Sequence, residues 1–141
     1  MAKRDFSRHW TPHANTIRYT FLHAAARTLF VDWDRVARNC VAQLRSAEPA
    51  FPESVATLVA ELSAASTEFD ELWRQHQVWV KRGGETAFRH PLIGEITLGN
   101  DVLHHLGSGQ RVLLYQAPPE SAEHDALVLL SMSAHSAGAR W

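Results

Sequence analysis

The apolar residues of this chain change their spacing near His76, and that change limits the folds open to it. Before His76 they recur every three or four residues, which is the period of amphipathic helices. After His76 they alternate with polar residues in short runs separated by glycine and proline, which is typical of strands. Helices followed by a meander of strands predict an α+β domain, with N-terminal helices packed on one face of an antiparallel sheet.

The most regular stripe predicts a helix that begins at Asp32, a residue type that caps helices well. Upstream, the apolar residues between Asn15 and Thr28 predict a second, less regular helix. Pro49 and Pro52 mark the end of the main helix and the start of the next one. The apolar stripe of the main helix is Trp33, Val36, Ala37, Cys40, Val41 and Leu44, and that of the following helix is Val55, Leu58, Val59 and Leu62.

A further helix is predicted to begin at Thr67. Thr67 and Asp70 resemble a capping box, in which a hydroxyl side chain and an acidic side chain three residues later satisfy the first backbone N–H groups of the helix. The stripe of this helix would place Phe69, Trp73 and His76 on one face.

The second half predicts a series of short strands. A β-rich run, Val78 to Val80, precedes them, and Gly99–Asn100–Asp101 is expected to interrupt them because these residue types favour turns. Ser121 is expected to cap a final short helix that carries Leu127 and Leu130. The predicted strands span residues 86–90, 93–98, 102–106 and 112–115.

The charges are divided unevenly along a chain whose formal net charge is only −1. Residues 1–45 hold eight Lys and Arg against three Asp and Glu, whereas residues 46–76 hold one against six. Solvated surfaces of separate helices, opposed helix faces and a self-complementary dimer all fit this division. The near-neutral total offers no general reason to bind nucleic acid, and no apolar run is long enough to span a membrane.

Catalytic and metal-binding motifs are not found in the sequence. His104 and His105 are adjacent in a predicted strand, so their side chains would point to opposite faces and could not share one metal ion. Cys40 lies on an apolar helix stripe and is predicted to be a buried structural thiol. As the only cysteine it can form no disulfide within the chain, which fits the cytoplasm. We therefore predict no enzymatic activity, no metal and no cofactor.

The aromatic residues leave two interpretations open. They form either an ordinary core or a partly open apolar pocket in which two polar groups, His76 and Tyr115, orient a ligand. Trp33 would join this group from an earlier helix, and Phe88 and Tyr115 would approach it from the strands.

A resemblance to a known family is carried by four stretches: NTIRYTFLHAAARTLFVDWDRVARNCVAQLR, LVAELSAASTEFDELWRQHQV, FRHPLIGEITL and RVLLYQAPPES. In order and spacing they resemble the MmyB-like transcription regulator ligand-binding domains, from about Asn15 to Met132. The resemblance implies a PAS-like fold, in which a sheet holds a small apolar, fatty-acid-like ligand under helices. It also implies a cytoplasmic bacterial regulator that binds DNA through a separate helix-turn-helix domain, and we expect the chain to form a homodimer.

The resemblance also implies which residues form the site, because several of them occupy the characteristic positions of the family. Among these, Pro91 ends a predicted strand and biases His90 towards an extended backbone. The expected ligand-binding residues are Trp33, Phe69, Trp73, His76, Phe88, His90 and Tyr115.

The expected organisation is a partial lead-in over residues 1–14, the PAS-like domain over 15–135 and a tail over 136–141. The helix-turn-helix domain is expected to be absent from this chain, and the sheet is expected to lack the first strands of the family. A sheet without those strands would present an open edge, which favours dimerisation. The sequence therefore predicts a ligand-sensing module of a transcription regulator, and its alternative is a ligand-free interaction module that pairs with an intact regulator.

Overall fold

A computed structural model describes residues 15–76, 84–104, 107 and 110–136, in which helices pack against a three-stranded antiparallel sheet. This confirms the predicted α+β class. The expected lead-in, residues 137–141 of the tail and the run from Val78 to Val80 lie outside the described residues. The elements are α1 (Thr16–Leu22), α2 (Ala26–Leu29), α3 (Trp33–Ala47), α4 (Pro52–Ala65), α5 (Thr67–Arg74), β1 (Gly84–His90), β2 (Gly94–His104), β3 (Arg111–Gln116) and α6 (Ala122–Ser136).

The predicted main helix is confirmed as α3. The carboxylate of Asp32 accepts a hydrogen bond from the backbone N–H of Arg35 at 3.2 Å and so caps its first turn. The predicted apolar stripe is largely buried, and its side chains meet those of α4 and α5. The buried core cluster consists of Val41, Leu44, Val55, Leu62 and Phe69. Within the described ranges, no helix is both long and apolar enough to cross a membrane.

The single upstream helix predicted between Asn15 and Thr28 is wrong, because the chain forms α1 and α2 with a break at His23. The indole N–H of Trp33 donates to the backbone carbonyl of Thr20 at 2.8 Å. In a continuous helix that carbonyl would accept from the N–H four residues later. A contact from α3 thus helps to end α1, and no local residue pattern could have revealed it.

The predicted capping box at Thr67 is also wrong by one residue. The hydroxyl of Ser66 accepts from the backbone N–H of Phe69 at 3.2 Å, and Thr67 is already the first helical residue of α5. Ser66 also donates its own backbone N–H to the carbonyl of Leu62 at 2.8 Å, at the end of α4. One residue therefore ends α4 and begins α5, which leaves no room for a longer linker between these helices.

Replacing Ser66 by alanine is expected to lower the free energy of unfolding by about 0.5–2 kcal/mol, because the N-cap hydrogen bond of α5 is lost. Urea unfolding followed by circular dichroism measures this loss. Thr67→Ala is the matched control, since Thr67 is exposed and makes no capping bond in the described structure. A larger loss for Thr67→Ala than for Ser66→Ala would contradict this assignment of the cap.

The sheet has the order β1-β2-β3, and β2 runs without interruption through the predicted break at Gly99–Asn100–Asp101. Gly99 and Asn100 each pair with a residue of β1 on one side and of β3 on the other. The amide of Asn100 also donates to the hydroxyl of Thr86 at 2.6 Å. Pairing on both sides holds this segment extended and overrides its local preference for a turn.

Part of the uneven charge distribution is used within the chain. Arg18 in α1 forms an ion pair with Glu61 in α4 at 2.8 Å, and Arg27 in α2 forms one with Glu68 in α5. The Arg27 guanidinium also lies 3.8 Å from the centre of the Trp33 ring. These pairs link the basic segment to the acidic one, although exposed pairs of this kind contribute little stability each.

Candidate ligand-binding site

A cavity of about 70 Å³ lies between α3 and the sheet, with α1 contributing to its wall. The α3 side chains that line it are on one flank of that helix, next to the buried stripe. They comprise Arg35, Val36, Asn39, Cys40 and Gln43. From the sheet, the lining includes Thr86, Asn100, Val102, Leu113 and Tyr115.

Strand register explains why these sheet residues share one face. Asn100 pairs directly with Tyr115, and Val102 pairs directly with Leu113. Since side chains alternate across a strand, residues two apart point to the same side, and directly paired residues do so as well. The cavity therefore has an apolar part formed by β2 and β3 next to a polar part at Asn100 and Tyr115.

Two titratable groups at this cavity are held in their neutral forms. Burial raises the pKa of the Cys40 thiol to about 11, although a contact with the Thr20 hydroxyl at 3.8 Å acts against this rise. Burial, and to a smaller extent the proximity of Cys40, raises the pKa of the Tyr115 hydroxyl to about 12. A thiol with so high a pKa is a poor nucleophile at neutral pH, so Cys40 is a structural group.

Asn39 contributes the least satisfied polar group of the cavity wall. Its side-chain Oδ1 is buried, and it finds no hydrogen-bond partner among the residues that the structure describes. A buried amide oxygen without a partner costs about 1–3 kcal/mol relative to a paired one. Asn39 thus carries a buried hydrogen-bonding atom that no described residue satisfies.

A larger, open groove of about 350 Å³ also borders α3, and Arg35 and Asn39 line both this groove and the cavity. Two aspartates and two arginines surround its apolar floor: Asp32, Asp34, Arg35 and Arg38. Charged side chains of both signs on an open surface stay hydrated, and this disfavours an apolar ligand. The cavity between α3 and the sheet is therefore the better candidate site, despite its smaller volume.

Three of the predicted site residues lie in the helical layer, away from this cavity. Phe21 of α1 contacts Trp33 and Phe69 edge to face, with ring centroids 5.7 and 5.1 Å apart. Phe69 stacks on Trp73 at 6.0 Å. Because Phe69 is fully buried, this row of rings forms part of the core.

The predicted strand aromatics belong to a second row on the sheet. The Phe88 ring contacts the Tyr115 ring edge to face, with ring centroids 4.9 Å apart. It also contacts the Phe30 ring at a tilt, with centroids 5.5 Å apart, and Phe30 in turn contacts Tyr19. Of the predicted residues, Tyr115 lines the cavity and Phe88 touches Tyr115. The structure thus brings these two together and separates them from the row that contains Phe69.

His76 does not share the helical face of Phe69 and Trp73, which corrects the predicted stripe. Helix α5 ends at Arg74, and His76 is exposed with a left-handed backbone, φ 51°. Its Nδ1 lies 3.2 Å from a guanidinium nitrogen of Arg45, whose guanidinium stacks on the Trp73 ring at 4.0 Å. This arrangement holds the end of α5 against α3.

His90 occupies the end of β1, on the same face as Phe88. Its Nδ1 accepts a hydrogen bond from the backbone N–H of Leu92 at 3.1 Å, which stabilises the turn into β2. Among the described residues, no group of three or more His, Cys, Asp or Glu is placed to hold a metal ion.

The cavity residues that sequence reasoning missed include three amides, Asn39, Gln43 and Asn100. Asn39 and Gln43 follow Arg35 at intervals of four along α3, beside the buried stripe. Amides that recur every four residues along the edge of an apolar stripe lie at the boundary of a helix interface. This spacing was the signal from which these two cavity residues could have been predicted. Asn100 gave no such signal, because it was assigned to a turn.

Comparison with known proteins supplies the family. The sequence matches the family model of the MmyB-like transcription regulator ligand binding domain over residues 2–130. The match begins closer to the N-terminus than the resemblance from Asn15 onward. A search of curated proteins finds no match, and a search of solved structures finds none either. Because the family model spans most of its length, the chain belongs to the family of MmyB-like transcription regulator ligand binding domains.

Proposed function

We propose that this regulatory domain senses a small, largely apolar ligand in the cavity between α3 and the sheet. The family supports a ligand-binding role within a transcription regulator, which is not an enzyme class. One observation carries the choice of site: the cavity lies where a helix of the core meets the three strands of the sheet, next to a side chain that links this helix to β3. A ligand there can change how the two layers are packed.

That link is made by Arg111 of the strand β3. Its guanidinium donates to the backbone carbonyl of Gln43 at 2.9 Å and to the hydroxyl of Ser46 at 3.1 Å, both on α3. Burial lowers the pKa of Arg111, but an arginine stays protonated in proteins. Since Gln43 also lines the cavity, a displacement of α3 by a ligand would be transmitted to β3.

The cavity must enlarge to take a fatty-acid-like chain. Benzene occupies an apolar cavity of roughly 150 Å³, and sites for larger ligands span roughly 300–1,000 Å³. In this proposal, the cavity of about 70 Å³ is the closed arrangement. The ligand would stabilise an open arrangement by its differential affinity for the two, and this population shift would be the signal.

In this proposal the protein acts in the cytoplasm as a homodimer. The dimer passes the signal to a helix-turn-helix domain that reads DNA, and the described residues do not contain that domain. The outer face of β2 and β3 supports an interface, because Leu103, Val112 and Leu114 are exposed there. The same surface also supports the second candidate function, a ligand-free interaction module. The two differ in whether a ligand changes the association.

Thermal unfolding in the presence of C8 to C18 chains with carboxyl or hydroxyl ends tests the proposal. A ligand at 100 times its Kd adds about 2.7 kcal/mol, so we expect a saturable rise in Tm of about 5 °C or more. Leu113→Trp, which fills the cavity, is expected to abolish this rise. Leu92→Trp is the control, because Leu92 is exposed in the turn between β1 and β2 and does not line the cavity.

Native mass spectrometry and sedimentation velocity complete the test. We expect a co-purifying small molecule and a sedimentation coefficient that changes when the probe is added. Dimerisation that no probe affects, together with an unchanged Tm, would favour the ligand-free module and reject the proposed sensor.

A further inference from the structure

The strand β3 forms one edge of the sheet in the part of the chain that the structure describes. It pairs with β2 on one side, and no other described strand pairs with its second side. Every second residue of such a strand directs its backbone N–H and C=O groups away from the sheet, where another extended strand can bind them. The outer edge of β3 therefore offers hydrogen bonds to a further strand.

The opposite edge of the sheet shows how this chain covers a strand. Phe30 forms a β-bridge with Phe88 of β1, and the backbone N–H of Val31 donates to the carbonyl of Ala87 at 3.1 Å. The connection between α2 and α3 thus occupies part of the outer edge of β1. Within the described ranges, β3 has no equivalent cover.

The strand β3 also lacks the features that protect edge strands from pairing, which are exposed charges, proline and bulges. Its register with β2 is continuous, and its sequence, RVLLYQ, contains one charged residue, Arg111. The guanidinium of Arg111 donates to Gln43 and Ser46 of α3, so this charge is used within the chain. On the outer face of the strand, Val112 and Leu114 are exposed.

An antiparallel copy of β3 complements this edge in both surface and charge. A two-fold axis perpendicular to the sheet places the outer-face side chains of one copy beside those of the other. Val112 and Leu114 of both copies would then form apolar cross-strand contacts. The two Arg111 residues would lie at opposite ends of the paired strands, and a formal net charge of −1 adds little repulsion between copies.

We propose that two copies of this chain pair antiparallel through their β3 edges, which joins two three-stranded sheets into one continuous sheet. The inference rests on the proposed function for its role, since it specifies how the homodimer forms. Leu113 and Tyr115 of the same strand line the cavity, so a ligand there would contact the strand that carries the interface. Interfaces below about 1,200 Å² are weak, so a dimer held by one short edge should dissociate on dilution.

Sedimentation equilibrium of the full chain without added ligand, from about 1 to about 500 µM, tests the pairing. We expect a reversible equilibrium between monomer and dimer. Val112→Lys should raise the Kd of the dimer at least about tenfold, because lysine on an edge strand opposes pairing and the two copies bring like charges together.

Leu103→Lys is the matched control for this variant. Leu103 pairs directly with Val112 and is equally exposed, at 55% against 54%, but it lies on the central strand β2. Its substitution should change the Kd less than about threefold. Circular dichroism of both variants checks that they keep the fold.

Hydrogen exchange of the unchanged chain gives a measurement that needs no substitution. Above the Kd, the amides of residues 111–116 that point away from β2 should exchange at least about fivefold more slowly than below it. The amides of β1 are the internal control, because Phe30 and Val31 already cover part of that edge. Their exchange should not depend on concentration.

The outcomes separate this inference from the proposed function. A chain that stays monomeric overturns the pairing, and so do equal effects of the two lysine substitutions, which would place the interface on the outer face of the sheet. Slow exchange of β3 at every concentration also overturns it, because another part of the same chain would then cover the edge. A dimer that behaves as expected while no C8 to C18 chain raises Tm supports the pairing and rejects the sensing function alone.

Discussion

Replacing Phe69 by alanine is expected to lower the free energy of unfolding by about 3–5 kcal/mol, the usual range for a large buried aromatic side chain. Phe69 is fully buried, and its ring contacts Phe21 and Trp73 between three helices of the core. The substitution would leave a cavity at the centre of the helical layer. The resemblance places Phe69 among the ligand contacts, so this variant tests its structural role directly.

Urea unfolding of the variant gives the loss, and Leu92→Ala is its control. Leu92 is 68% exposed in the turn between β1 and β2, so its removal should change stability by less than about 0.5 kcal/mol. A Phe69→Ala chain that keeps its stability and loses only ligand binding would contradict the assignment of this residue to the core.

Local sequence patterns were sufficient to predict the main helix and the class of the fold. The N-cap at Asp32 and the apolar period that follows it depend only on neighbours in the sequence, and the structure reproduces both. The errors arose where distant residues decide the outcome. Trp33 helps to end α1 from another helix, and two flanking strands keep Gly99 and Asn100 extended.

The candidate site was harder to predict, because one helix separates the aromatic residues that the sequence grouped together. Phe21 and Tyr19 are two residues apart in α1, and side chains at that spacing do not face the same way on a helix. Phe21 contacts the row that contains Phe69, whereas Tyr19 contacts the row that leads to Phe88. Ligand contacts for the predicted residues in the helical layer remain a prediction.

Raising the pH from 8 to 11 is expected to remove about 3 kcal/mol of stability through two cavity groups, at 1.36 kcal/mol for each unit of pKa difference. The folded pKa values are about 11 for Cys40 and about 12 for Tyr115, against ordinary values of 9.0 and 10.0. At pH values where the two side chains have begun to ionise in the unfolded chain, they are still neutral in the folded chain. Stability is therefore complete below about pH 9 and declines as the pH rises towards the folded pKa values.

The double variant Cys40→Ala, Tyr115→Phe isolates this contribution, because it removes both ionisations and leaves other alkaline effects in place. Urea unfolding at several pH values should show a shallower decline for the variant between pH 9 and 11. Cys40 should supply the larger share, since its unfolded pKa is lower and its burial more complete. Equal slopes for the two proteins would mean that both groups ionise as readily in the folded chain as in the unfolded one, and that water reaches the cavity between α3 and the sheet.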